Sequence, residues 1–279
     1  MKIFLGPAGI PITAKGNSSI DGIKAVSEIR LNAMEIEFVR GVHMSSQLAK
    51  ECGEAMKEFN VKLSVHAPYF INLLSEKKEI VEASKKRILD SVERGSLMSA
   101  NIVAVHAGYY GKLGKEEGIE RMAEQANDLT DKIKSNGWKT FVGFETSGKV
   151  KSFGTIEEIV EICERVKGCG IVLDAAHIFA LQAGRIDYSE MFDRIKPLKL
   201  EHLNMHFSNI KWRPVKATGA GNEWYHMEIK NNQPPFESLA KEILKRKIDV
   251  TIISESPVLE QDSLVMKKVF EKLGYKFNF

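Results

Sequence analysis

The strongest constraint on the fold of this chain is an alternation. Short apolar, β-branched runs of strand length recur from one end to the other, separated by longer stretches with helical spacing. Residues 3–6, 34–39, 63–66, 102–106, 140–145, 171–174, 203–207 and 250–255 read as strands. Residues 21–31, 45–59, 77–98, 115–135, 155–166, 188–195, 235–247 and 262–273 read as helices. Thr155 followed by Glu158 forms a capping-box signal at the start of one of them. Strand and helix in strict alternation is the signature of parallel strands with crossover helices, and eight such units predict an α/β fold, a (β/α)8 TIM barrel. No linker or low-complexity tract divides the chain, so residues 1–279 are expected to form one domain.

A chain of 279 residues, 43% of them hydrophobic, buries a core large enough to need no covalent staple. Cys52, Cys163 and Cys169 are odd in number and lack paired metal spacing, which argues against a disulfide framework or a zinc ribbon. The apolar start MKIFLGPAGIPI is too short for a signal peptide, and no later run approaches a membrane span. The expectation is a soluble cytoplasmic protein. A net charge of +3 permits nucleic-acid binding without arguing for it.

In a barrel of this kind, polar residues at the C-terminal strand ends face the catalytic mouth, and branched apolar side chains are expected to fill the interior. His66, His106, Glu145, Asp174, His206 and Glu255 stand at or just past the ends of the third to eighth strands, and His177 lies three residues beyond Asp174. Imidazoles and carboxylates are the donor set preferred by zinc and similar divalent ions. They exceed the needs of one tetrahedral ion and match a cluster of two or three ions about 3.5 to 4 Å apart, suited to in-line displacement at phosphorus. The segment from 208 to 234 shows no periodicity and is expected to be a long functional loop, carrying Lys211, Trp212, Arg213, Lys216, Trp224, Tyr225 and His226. His202, four residues before His206, would face the same side of a strand; Gly6 and Gly9 read as turn glycines.

The segments HAPYFINL (66–73), VAVHAG (103–108), GFET (143–146), LDAAH (173–177), MHFS (205–208) and SES (254–256) resemble, in order and spacing, the endonuclease IV family of zinc-dependent apurinic/apyrimidinic endonucleases. The resemblance implies two or three zinc ions, with manganese an alternative. His66 and His106 would hold one ion, bridged by Glu145 to a second held by Asp174, His206 and Glu255. His177 and His226 would bind a third. The family places an Asp two residues before that last histidine. Trp224 stands there in this chain, and Glu223, three residues before His226, is the available carboxylate.

The resemblance also implies a partner: duplex DNA containing an abasic site, met by a monomer that associates with the nucleoid when it acts. Tyr69 and Phe70 match the family's wedge at the lesion, and Arg40, Lys211 and Arg213 are candidate backbone contacts. The implied reaction is hydrolysis of the phosphodiester 5′ to the lesion, leaving a 3′-hydroxyl and a 5′-deoxyribose phosphate, with Glu145 and Glu255 orienting the nucleophile as well as holding metal. Two alternatives stand beside it: a metal-dependent sugar isomerase or epimerase on the same barrel, and a homologue that binds damaged DNA without cutting it.

Overall fold

The computed structural model describes residues 1–278. Eight parallel strands form one sheet: β1 (Ile3–Pro7), β2 (Ala33–Glu37), β3 (Lys62–His66), β4 (Ile102–Val105), β5 (Phe141–Glu145), β6 (Cys169–Asp174), β7 (Leu203–Phe207) and β10 (Val250–Ser254). Their order, β1-β10-β7-β6-β5-β4-β3-β2, leaves β1 and β2 as the two edges. These edges meet: Ala8 bridges Glu35 in parallel register and the Gly9 N–H donates to the Glu35 carbonyl at 2.9 Å. The fold is therefore a TIM barrel, as the alternation predicts.

Helices α1 (Ser19–Glu28), α2 (Ser46–Phe59), α3 (Lys78–Leu97), α4 (Lys115–Ser135), α5 (Ile156–Arg165), α7 (Tyr188–Arg194), α8 (Phe236–Arg246) and α9 (Glu260–Lys272) match the helical stretches to within a few residues at each end. The Thr155–Glu158 capping box is present, each side chain bonding the other's backbone N–H. Val65, Val103, Phe144, Leu173, Met205 and Ile252, on the outward faces of their strands, join helix residues such as Ile88, Met122 and Leu239 in the main core.

The barrel interior departs from the apolar filling that the sequence predicts. Ile102, Ala104 and Val172 form a small apolar cluster of their own, and beside Phe4 and Ile253 much of the remaining space holds polar groups. Ser64 donates to Glu35 at 2.7 Å, deep in the barrel. At the N-terminal end, His202 contacts Lys62 Nζ at 3.0 Å and Thr251 Oγ1 at 2.9 Å. His202 thus lies roughly 13 Å along the strand direction from His206 and takes no part in the mouth.

Gly6 is a strand residue, not a turn glycine. A Cβ there would lie 1.6 Å from the Ala33 carbonyl oxygen, so closure of β1 against β2 requires glycine.

Residues 208–234 do not form a structureless loop. They hold an antiparallel hairpin, β8 (Asn209–Pro214) and β9 (Gly221–Met227). The sequence hides it because only Ile210 and Trp212 pack inward, against a helix that it also hides: α6 (Ala175–Leu181), too short and too fully buried to show amphipathic spacing.

Gly6→Ala is expected to cost about 3 kcal/mol, the upper end for overpacking, because the obstacle is backbone. A urea midpoint equal to that of the parent protein would show that the two edges separate without cost.

Candidate metal centre

The strand ends place the predicted donors around one point. Glu145 ends β5 with its side chain fully buried, and its two carboxylate oxygens face different neighbours. Oε2 lies 3.2 Å from His66 Nε2 and 3.5 Å from His106 Nε2, while Oε1 lies 3.1 Å from His206 Nδ1 and 3.4 Å from His177 Nδ1. His66 ends β3 and His106 follows β4, so the first pair comes from adjacent strands. Glu255, just past β10, reaches His206 Nδ1 at 3.1 Å. Asp174 caps α6: its Oδ1 accepts the His177 N–H at 2.8 Å, and its buried Oδ2 has no hydrogen-bond partner. That N-cap explains why His177, on the first turn of a buried helix, faces the same mouth.

The hairpin completes the arrangement. Register runs Ile210↔His226 and Lys211↔Tyr225, then Trp212↔Glu223, which makes Trp224 a bulge residue. Side chains two apart on a regular strand share a face; one inserted residue lets Glu223 and His226, three apart, do the same. Glu223 Oε2 lies 3.0 Å from His177 Nε2, and the His177 and His226 ring centroids are 5.5 Å apart. Gly148 makes room for this carboxylate, since a Cβ there would sit 2.2 Å from Glu223 Oε2. The Glu223 N–H donates to the Gly148 carbonyl at 2.8 Å, and Lys149 pairs with Glu223 at 3.0 Å. Trp224 in the expected acidic position is therefore an insertion that leaves a carboxylate at the site.

Neighbouring groups fix the imidazoles. Backbone carbonyls only accept, so His66 Nδ1 donates to Ala67 at 2.8 Å and His177 Nδ1 donates to Thr146 at 3.0 Å. His66 is left with Nε2 toward Glu145, and His177 with Nε2 toward Glu223. For His206 the order is reversed: Nε2 meets Glu35 Oε1 at 2.9 Å, leaving Nδ1 toward Glu145 and Glu255. Ser208 Oγ and His226 Nδ1 are 2.7 Å apart. Such outer partners set ring orientation and donor basicity in metal sites.

Charge is in tension here. Burial would raise Glu145, yet His106, His206 and the hydrogen bonds from His177 and His206 hold it well below the usual carboxylate range. Burial raises Glu255 well above that range, and Glu145 and Asp174 push it further. Burial disfavours a charged His66, but its bond to Glu145 and the charges of Glu37, Glu145 and Glu35 raise it to about 10; burial takes His106 down to about 4.

Glu145, Asp174, His177 and Glu255 each offer a ligand atom, all within 4.8 Å of one another, as do His66, Glu145, His206 and Glu255. So do His106, Glu145 and His177, and also His177, His226 and Glu255. Crowded carboxylates, with an Asp174 oxygen that accepts no hydrogen bond, are what divalent cations relieve, so these residues fit bound metal.

A cavity of about 530 Å³ opens above the cluster, lined among others by Glu37, Tyr69, Tyr109 and Lys149. Tyr69, which lines it, and the adjoining Phe70 are 59% and 64% exposed, so neither ring is packed beneath the loop. Arg40 and Lys211 are exposed, and Arg213 lies over the Trp224 ring at 3.5 Å. Glu35, Glu37, Tyr109, Lys149 and Ser208 escape the sequence reading. For the first two a signal existed: acids two apart in the strand AMEIE must share one face.

A family model described as xylose isomerase-like TIM barrel matches residues 23–271. The chain belongs to that family. An uncharacterized protein of Methanocaldococcus jannaschii is 30% identical over 97% of this chain and 98% of its own length. A probable endonuclease 4 of Akkermansia muciniphila is 32% identical, but over only 51% of this chain and 54% of its own. Among solved structures, a D-tagatose 3-epimerase-like protein (TM-score 0.72, 20% identity, 98% of this chain and 96% of its own) and endonuclease IV from Thermus thermophilus (TM-score 0.71, 18% identity, 95% and 98%) share the fold. The family link to endonuclease IV indicated by the motifs is thereby supported, while the fold accommodates epimerases equally well.

Gly148→Ala and Glu223→Ala are both expected to lower zinc content by about one ion per chain, since each removes the carboxylate facing His177 and His226. Mass-spectrometric metal analysis showing unchanged content in both would remove Glu223 from the donor set. Glu35→Gln should weaken zinc binding roughly tenfold, read by competition with a chromophoric chelator; unchanged affinity would reduce Glu35 to a space-filling role.

Proposed function

We propose that this protein is a zinc-dependent endonuclease that cuts the phosphodiester 5′ to abasic sites in duplex DNA. The observation that supports this best is the division of Glu145: one carboxylate oxygen faces His66 and His106, the other His206 and His177. A carboxylate so placed suits a bridge between two ions, and five imidazoles are more than a single-ion sugar site needs.

His66, His106 and Glu145 would hold one ion, Glu145, Asp174, His206 and Glu255 a second, and His177, His226 and Glu223 a third; manganese also suits such donors. Bound there, the ions would supply Lewis-acid charge for water activation and for the oxygens around phosphorus. The chain's own residues do the rest. Glu145 and Glu255 stand where a water attacking phosphorus would be oriented. The bond from phosphorus to the 3′-oxygen breaks, that oxygen takes a proton, and a 5′-deoxyribose phosphate remains on the other strand end. Tyr69 and Phe70, exposed beside the cavity, are placed to enter the base stack, which an abasic nucleotide barely resists. Arg40, Lys211 and Arg213 meet backbone phosphates. Every donor comes from one chain, so a monomer suffices, and the substrate places its action with DNA inside the cell.

Purified protein is expected to nick a duplex carrying one abasic site, to stop on chelation, and to recover with zinc. Glu145→Ala should reduce incision by more than roughly a hundredfold, exceeding the loss typical of an outer-shell change. Binding without cleavage would favour a damage-binding protein; turnover of a free ketose without cleavage would favour an epimerase.

A further inference from the structure

β2 points two acids into the barrel, and the structure gives them different fates. Glu35 is 1% exposed, accepts from Ser64 through Oε2 at 2.7 Å and has Oε1 2.9 Å from His206 Nε2, away from the cavity lining. Glu37 lies one inward step nearer the mouth, in register with His66 across the sheet. It lines the cavity together with Tyr69, His106 and Glu255. Its Oε1 is buried without a hydrogen-bond partner, and among the described residues it joins none of the sets able to hold a metal. The side chain is part-buried at the cavity wall, and a carboxylate with one oxygen left without a partner there calls for a donor that the protein does not supply.

We infer that Glu37 is a specificity-determining residue that accepts a hydrogen bond from the C1 hydroxyl of the abasic deoxyribose. This rests on the nuclease assignment above. The C1 hydroxyl is the group that appears when a base is lost: in an intact nucleotide C1 carries nitrogen and offers no donor. An unpaired acceptor near that carbon therefore favours the lesion and penalises an undamaged sugar, because the bulk of a base would occupy the same space and leave the carboxylate unpaired. Sites built to bond a hydroxyl discriminate strongly against analogues lacking it. The wedge residues Tyr69 and Phe70 select a nucleotide that unstacks easily; Glu37 reads what stands at C1.

Two duplexes identical except at one position test this, one with a natural abasic site and one with tetrahydrofuran, which has hydrogen at C1. Wild-type protein is expected to prefer the natural site by roughly tenfold in kcat/KM, the order of worth of a single hydrogen bond. In Glu37→Ala that ratio should fall close to one. In Glu37→Gln, of equal shape and still an acceptor, it should be intermediate. Fluorescence anisotropy with chelator present gives the same comparison for binding alone, and urea midpoints report the folding of each variant. Equal handling of the two duplexes by wild-type protein, or an undiminished ratio in folded Glu37→Ala, would overturn the role of Glu37 while leaving the nuclease assignment standing. Absence of incision on both duplexes would overturn the nuclease assignment and the inference with it.

Discussion

The site depends on one carboxylate held between two sets of imidazoles. Glu145 is 1% exposed, so its charge is unaffordable unless compensated, and the compensation arrives from four histidines borne by different strands or by the helix after β6. Each histidine reaches it only because the barrel is closed and parallel, which places every C-terminal strand end on one rim. Closure in turn needs the tight approach of β1 to β2 that Gly6 allows. Fold and site are thus linked through a short chain of causes running from a missing Cβ to the convergence of donors.

The surroundings of the cluster show where stability has been set aside for placement. Glu35, Ser64, Lys62, His202 and Thr251 occupy space that branched apolar side chains would fill more favourably. Glu35 locks His206 with one nitrogen inward, and the Ala67 and Thr146 carbonyls do the same for His66 and His177. Preset rings need not be ordered when a ligand arrives. The hairpin adds the outermost donors on a separate element, braced through Gly148, Lys149 and Asn222 against the loop after β5.

The bulge at Trp224 shows how a departure from a motif can preserve geometry. Counting residues back from His226 finds tryptophan where an acid is expected, yet the inserted residue returns Glu223 to the inner face. Spacing along a strand is informative only when its regularity is known. Arg213 stacked on the displaced Trp224 lies on the opposite, exposed face of the same hairpin.

Alternation by itself determined the barrel, because strand and helix periods are local properties and parallel connection leaves few ways to close eight units. The donors at the strand ends were legible for the same reason: position at the end of a barrel strand fixes the face on which a side chain emerges. Tertiary structure alone decided the rest. α6 and the hairpin carry no amphipathic pattern, since one is buried on all sides and the other offers α6 only two apolar side chains. Which oxygen of Glu145 meets which imidazole, where Glu223 points, and why Glu35 meets His206 while Glu37 lines the cavity all depend on contacts between residues far apart in sequence. Such contacts are set by closure and packing, and no local period records them.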